Sequence, residues 1–101
     1  MKEILIFAGT TEGRELSEYL AVAGIAHTLC VATEYGEIVL KEHPLVKVHK
    51  GRMNQEEIEV YIKAGNFGAV VDATHPYAEV VTQNIKNAMQ DMDIPYLRLK
   101  R

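Results

Sequence analysis

Apolar runs that refuse to alternate constrain this chain most. "ILIF" (Ile4 to Phe7), "TLCVA" (Thr28 to Ala32) and "AVV" (Ala69 to Val71) are too short for helices. A strand with one wet face shows apolar residues at every second position. These runs show no such period, so both of their faces must be covered. That is the condition of a strand in a parallel sheet with helices on each side. Leu45 to His49 does alternate, and so reads as a strand exposed on one side. "DIPYLRL" gives a turn and then a fifth strand.

Between the runs the period changes to that of a helix. Leu16, Tyr19, Leu20 and Ala23 share a face, and Gly24 stands where a helix-ending glycine belongs. Asn54 precedes Glu57 by three residues, the spacing of a capping box, and Ile58, Tyr61 and Ile62 follow on one face. "GNFG" is a turn. Pro76 suits the first position of a helix. Ala78, Val81, Ile85, Ala88, Met89 and Met92 recur at helical spacing after it. Residues 35–43, "YGEIVLKEH", are ambiguous and can form a short helix. The order is strand and helix in alternation. Right-handed crossovers then favour a Rossmann-like α/β fold, a doubly wound parallel sheet of five strands in the order 3-2-1-4-5.

A chain of 101 residues is one domain, residues 1–101, and its 48% apolar content can build a modest core. The net charge of −3 offers no basic surplus for nucleic acid or an anionic membrane surface. No run approaches the roughly 18 apolar residues needed to span a bilayer, and "MKE" leads into no secretory signal. Cys30 is alone, so neither a disulfide framework nor a thiolate metal cluster is available. A small core residue is the simplest role for it. A cytoplasmic protein is expected. "YLRLKR" ends the sequence directly after a strand, which leads us to expect one half of a longer protein.

In a doubly wound sheet, ligands sit beyond the carboxyl ends of the strands, where the strand order reverses. The first such turn is "GTTEGR", Gly9 to Arg14. It offers two glycines, two hydroxyls and a helix N-terminus, a combination that favours an anion. It is not the G-x-G-x-x-G spacing. Glu12 repels a phosphate unless its side chain turns away. The plainer alternative is a strand-to-helix turn at Gly9, with Glu12 complementing the helix dipole. Glu34 stands about twenty residues on, where an acid can accept from a ribose 2′-OH; it can equally be a solvated loop residue. Thr33 beside it is neutral on that choice. In "DATHPYA", Asp72 ends a buried run, Thr74 or His75 can cap the next helix, and His75 can bind an anion or carry a proton near neutral pH. His27, His43 and His49 show no metal-ligand spacing.

Taken together, "ILIFAGTTEGRELSEYL", "VATEYGE", "KGRM" and "VVDATHPYA" followed by "IPYLRLKR" resemble, in order and over nearly the whole chain, the N-terminal half of precorrin-6A reductases. "VATEYG" makes the cobalt-precorrin-6A branch the nearer one. Ala8 departs from the second glycine of many relatives. The resemblance implies reduction of a double bond in a corrin precursor during cobalamin biosynthesis, with NADPH or NADH and no resident metal or flavin. It implies two α/β halves, the dinucleotide on the first and the tetrapyrrole substrate in a cleft between them. On this chain Gly9, Thr10, Thr11, Glu12 and Gly13 then face the cofactor, joined by Thr74, with Thr33 and Glu34 towards its adenosine ribose. Gly51 lies on the cleft side, Arg52 and Tyr77 are substrate contacts, and His75 is the candidate catalytic group. Without the missing C-terminal α/β domain, the chain alone is expected to be inactive.

The competing reading is a stand-alone Rossmann-like module that binds a nucleotide without catalysis. A phosphoacceptor receiver domain shares the size but needs acids directly after the first strand and an aspartate ending the third. Here those places hold Ala8-Gly9 and His49-Lys50, so the metal would lack its oxygen ligands.

Overall fold

The computed structural model describes residues 2–31, 43–75 and 79–99. The described elements are β1 (Glu3–Phe7), α1 (Thr11–Val22), β2 (His27–Val31), β3 (Val46–Lys50), α2 (Gln55–Ala64), β4 (Phe67–Asp72), α3 (Glu79–Ala88) and β5 (Tyr96–Arg98). The sheet order is β3-β2-β1-β4-β5 and every pairing is parallel, as the unalternating runs require. Most strand limits differ from the sequence expectation by a residue, but β4 begins at Phe67, so Phe67 and Gly68 of the expected "GNFG" turn belong to the strand. Residues 35–42 and Pro76 lie outside the described residues; His43 belongs to neither helix nor strand.

Successive residues of β1 feed opposite cores. Leu5 and Phe7 join Cys30, Val70, Ile58 and Ile62 of α2 and Ile85 of α3 on one face. Ile6 joins Leu29, Val71, Ala73 and Leu20 of α1 on the other. Both sides of the central strands are therefore dry. Met89 is buried in the first core and Met92 packs against it, but both lie past the end of α3 at Ala88 and not on the helix that their spacing suggests.

β3 departs from its expected alternation. It is an outer strand with one neighbour. Val48, apolar, is 37% exposed. His49, on the side expected to be wet, is half-buried and meets the Tyr61 ring edge-on, with centroids 4.8 Å apart. An aromatic partner from α2 has covered the polar side.

Local chemistry sets the helix ends. Gly24 adopts φ +79°, the left-handed conformation that closes α1. At α2 the capping box forms: Glu57 N–H donates to Asn54 Oδ1 at 2.8 Å, and Asn54 N–H donates to Glu57 Oε1 at 3.0 Å.

One buried polar pair ties α1 to β2. His27 is fully buried, and its Nδ1 lies 2.9 Å from the Ile25 carbonyl. A carbonyl only accepts, so Nδ1 carries the proton in this contact. In the neutral ring Nε2 is then the acceptor, and Ser17 Oγ donates to it at 2.6 Å. Ser17→Ala would strand that buried acceptor. We expect a loss of about 1–3 kcal/mol in urea unfolding, with the fold retained.

Candidate functional site

The dry faces leave the carboxyl ends of the strands as the place for chemistry. There a cavity of about 430 Å³ opens. Phe7 at the end of β1, with Ala8 and Gly9 of the turn after it, lines one wall. Val31 ends β2; Arg52 and Met53 follow β3. The turn after β4 adds Thr74 and His75, and α3 adds Val80, Val81 and Asn84. Cys30 lines the floor; burial pushes its thiol up to about 12, so it is an apolar wall and not a nucleophile.

The five residues of the first turn do different work. Gly9 is exposed and lines the cavity. A Cβ there would meet Thr74 Cα at 3.5 Å and His75 N at 3.7 Å, ordinary contacts, and its φ is not left-handed. The fold itself therefore has no need of glycine at 9. Thr10 is the N-cap of α1; its Oγ1 accepts from Gly13 N–H at 3.4 Å and donates to Ala73 O at 2.7 Å. Thr11 is exposed and Glu12 half-buried in the first turn of α1, where an acid suits the dipole. Gly13 is buried, and a Cβ there would stand 3.0 Å from Ala73 Cβ. It is a close-packing glycine. Among the turn residues, Gly9 alone reaches the cavity wall, and Thr10 to Gly13 build the helix end behind it.

Arg52 is exposed at the cavity and follows Gly51, whose φ of +104° turns the chain out of β3. His75 is exposed at the same cavity. The structure thus brings Gly9, Arg52, Thr74 and His75 together. Thr33, Glu34 and Tyr77 lie outside the described residues. Among the described residues, no group of three or more His, Cys, Asp or Glu can hold a metal ion.

Sequence reasoning passed over Asp72 as a functional residue. Its side chain is 0% exposed. Oδ1 accepts from Thr74 N–H at 3.1 Å, Thr74 Oγ1 at 2.6 Å and Arg98 Nη1 at 3.0 Å. Oδ2 accepts from Thr82 Oγ1 at 2.7 Å and Tyr96 OH at 2.9 Å. The register places Asp72 opposite Arg98 and Val70 opposite Tyr96. Burial by itself raises the Asp72 carboxyl, but the hydrogen bonds from Thr74, Thr82 and Tyr96 outweigh it and hold the group below its ordinary value. The Tyr96 hydroxyl is pushed up, by burial first and by its bond to Asp72 second. The signal was present in sequence. An acid ending a buried strand must find donors, and "YLR" carries Tyr96 and Arg98 two apart, on one face of a strand.

An all-parallel sheet in this order, with a glycine turn opening onto a helix N-terminus and a cavity at the reversal of strand order, defines a Rossmann-like, doubly wound domain. Residues 3–101 match the family described as precorrin-6x reductase CbiJ/CobK, and the chain belongs to that family. It is similar to the cobalt-precorrin-6A reductase of Priestia megaterium, at 37% identity over 97% of this chain and 38% of that protein. It is similar to the Salmonella typhimurium cobalt-precorrin-6A reductase at 31%, over 98% and 37%. The Mycobacterium tuberculosis precorrin-6A reductase is 30% identical, over 100% and 40%. A solved structure, CobK precorrin-6A reductase, shares the fold with a TM-score of 0.85 at 22% identity, covering 100% of this chain and 38% of that one. The chain spans about 38% of the length of the first of these relatives.

Gly13→Ala should lower the melting temperature, because Ala73 must shift by a few tenths of an ångström to admit the new methyl. The Asp72 pair gives a pH prediction. Its folded value is depressed, so the network stabilises the fold above the ordinary carboxylate range and that contribution is lost as the pH falls through the folded value. Urea unfolding below about pH 4 should show a steeper acid loss in the wild type than in Asp72→Asn.

Proposed function

We propose that this chain is the dinucleotide-holding part of an NAD(P)H-dependent reductase that acts on the precorrin-6A or cobalt-precorrin-6A macrocycle in cobalamin biosynthesis, in a cytoplasmic setting. The observation that carries this is Gly9. It is the residue of the first turn that lines the cavity, it sits next to the N-terminus of α1, and nothing within the fold requires it to be glycine.

The residues suit a dinucleotide. A glycine without an internal reason leaves backbone open to close approach by a phosphate, and the first turn of α1 supplies N–H donors and a favourable dipole. Val31, Met53, Val80 and Val81 give the cavity apolar walls for a flat ring. A reduced nicotinamide, when bound, supplies a hydride. The chain's own residues have the other tasks. The apolar walls exclude water. Arg52, an exposed guanidinium at the cavity, can pair with a carboxylate of the macrocycle. His75 can hold or pass a proton through its imidazole. Thr33 and Glu34 are assigned to the adenosine ribose and Tyr77 to the substrate on the family resemblance. Because the relatives are much longer, turnover is assigned to the full-length protein and not to these 101 residues alone.

The test is an isotope-labelled titration with NADH and with NADPH. Amide shifts should move at Gly9 to Gly13 and at Thr74 and His75. Gly9→Ala should melt close to the wild type yet weaken dinucleotide binding several-fold. If those amides stay still with both cofactors at millimolar levels, the cofactor assignment fails.

A further inference from the structure

The Asp72 network is larger than a strand end needs. It does not touch the cavity wall except through Thr74. Thr74 has no polar group left over. Its N–H and its hydroxyl donate to Asp72 Oδ1, at 3.1 and 2.6 Å. Its carbonyl accepts from Arg98 Nη1 at 3.0 Å, and its hydroxyl oxygen also lies 3.2 Å from that nitrogen. The same nitrogen is 3.2 Å from the Asp72 carbonyl. A residue clamped at N–H, C=O and side chain cannot turn. It fixes the direction in which the chain leaves towards His75.

That fixed turn is also the floor of the first one. Thr74 Cα and His75 N are the atoms nearest to Gly9 on the side where its Cβ would project. Thr10 Oγ1 donates to Ala73 O at 2.7 Å, which ties the α1 N-cap to the residue between Asp72 and Thr74. Ala73 N–H in turn donates to Phe7 O at 2.8 Å. The turns after β1 and β4 are therefore one unit, and a single buried carboxylate holds it.

We propose that Asp72 is a positioning residue for the dinucleotide site: with Arg98 it clamps Thr74, and through Thr74 and Ala73 it sets the shape of the Gly9–Thr10 turn and the direction of His75. This rests on the dinucleotide reading above. It makes Thr74 an anchor of the site, its polar groups spent inside the protein. Arg98 serves through several acceptors on one nitrogen, Nη1, at the far end of the planar guanidinium, a position one bond beyond the reach of a lysine ammonium.

The experiment measures NADH and NADPH dissociation constants, with melting temperatures, for the 101-residue chain and three variants. Asp72→Asn keeps the shape but loses the charge that holds Arg98. Arg98→Lys keeps the charge but ends one bond short of the Nη1 position that holds Asp72 and Thr74. Ile62→Val, in the core and off the cavity wall, weakens the fold alone. Asp72→Asn and Arg98→Lys should each raise the dissociation constant about tenfold or more at a temperature where they are fully folded, with shifted amides at Gly9, Thr10 and His75. Ile62→Val should lower the melting temperature and leave the dissociation constant in place. If the two network variants lose only melting temperature and bind as the wild type does, the proposal is overturned. Should Asp72→Asn fail to fold, Arg98→Lys decides by the same criterion. A wild-type chain that binds neither dinucleotide overturns the underlying dinucleotide reading, and the positioning proposal with it. That outcome is distinct from tight wild-type binding with insensitive variants.

Discussion

A parallel sheet with both faces buried has nowhere to put a ligand except beyond the ends of its strands. In this chain Leu5 and Phe7 point into one core and Ile6 into the other, and the central strands carry no wet face. Polar groups that serve a ligand must then come from the turns and from the helices beside them, as Asn84 of α3 does at the cavity wall. The sheet's reversal at β1 and β4 brings the turns after those two strands side by side. The cavity, the α1 N-terminus and the Asp72 network all follow from that single arrangement.

The Asp72–Arg98 pair shows what the arrangement demands. A charge with no access to water is expensive, and a buried ion pair is weak grounds for claiming extra stability. What it does supply is geometry, since each donor around the carboxylate has a defined place. The donors come from β4's own turn, from α3 and from β5, so the carboxylate joins three elements at one point. It also explains why "VVDAT" and "YLR" form a set: Val70 to Asp72 pair with Tyr96 to Arg98 across β4 and β5, and Arg98 reaches on to the Thr74 carbonyl.

Much of the fold was legible because it rests on period and on local caps. The unalternating runs gave a parallel sheet and its order, and Asn54 with Glu57 gave the start of α2. β3 was harder, because the cover on His49 comes from Tyr61, a residue that local spacing does not connect to it. In the candidate site the limits were of the same kind. Gly9 and Gly13 look alike in a string of letters, yet one borders a cavity and the other is pressed against Ala73. Asp72 read as a strand end because its partners Tyr96 and Arg98 follow 24 and 26 residues later, beyond the reach of a motif. Arg52 and His75 border the cavity because turn residues after parallel strands converge by rule.

The contact between Gly13 and Ala73 reaches into how such a domain can vary over time. With 3.0 Å between a Cβ at 13 and the methyl of 73, the two positions share one small volume. Enlarging either side chain consumes space that belongs to the other. A methyl gained at 13 fits without displacing its neighbour only after one is given up at 73. The two sites thus behave as one heritable unit, in which the order of changes decides how stable the intermediates are. The neighbouring Asp72 narrows the paths further, because any drift of the backbone at 73 disturbs the carboxylate one residue before it.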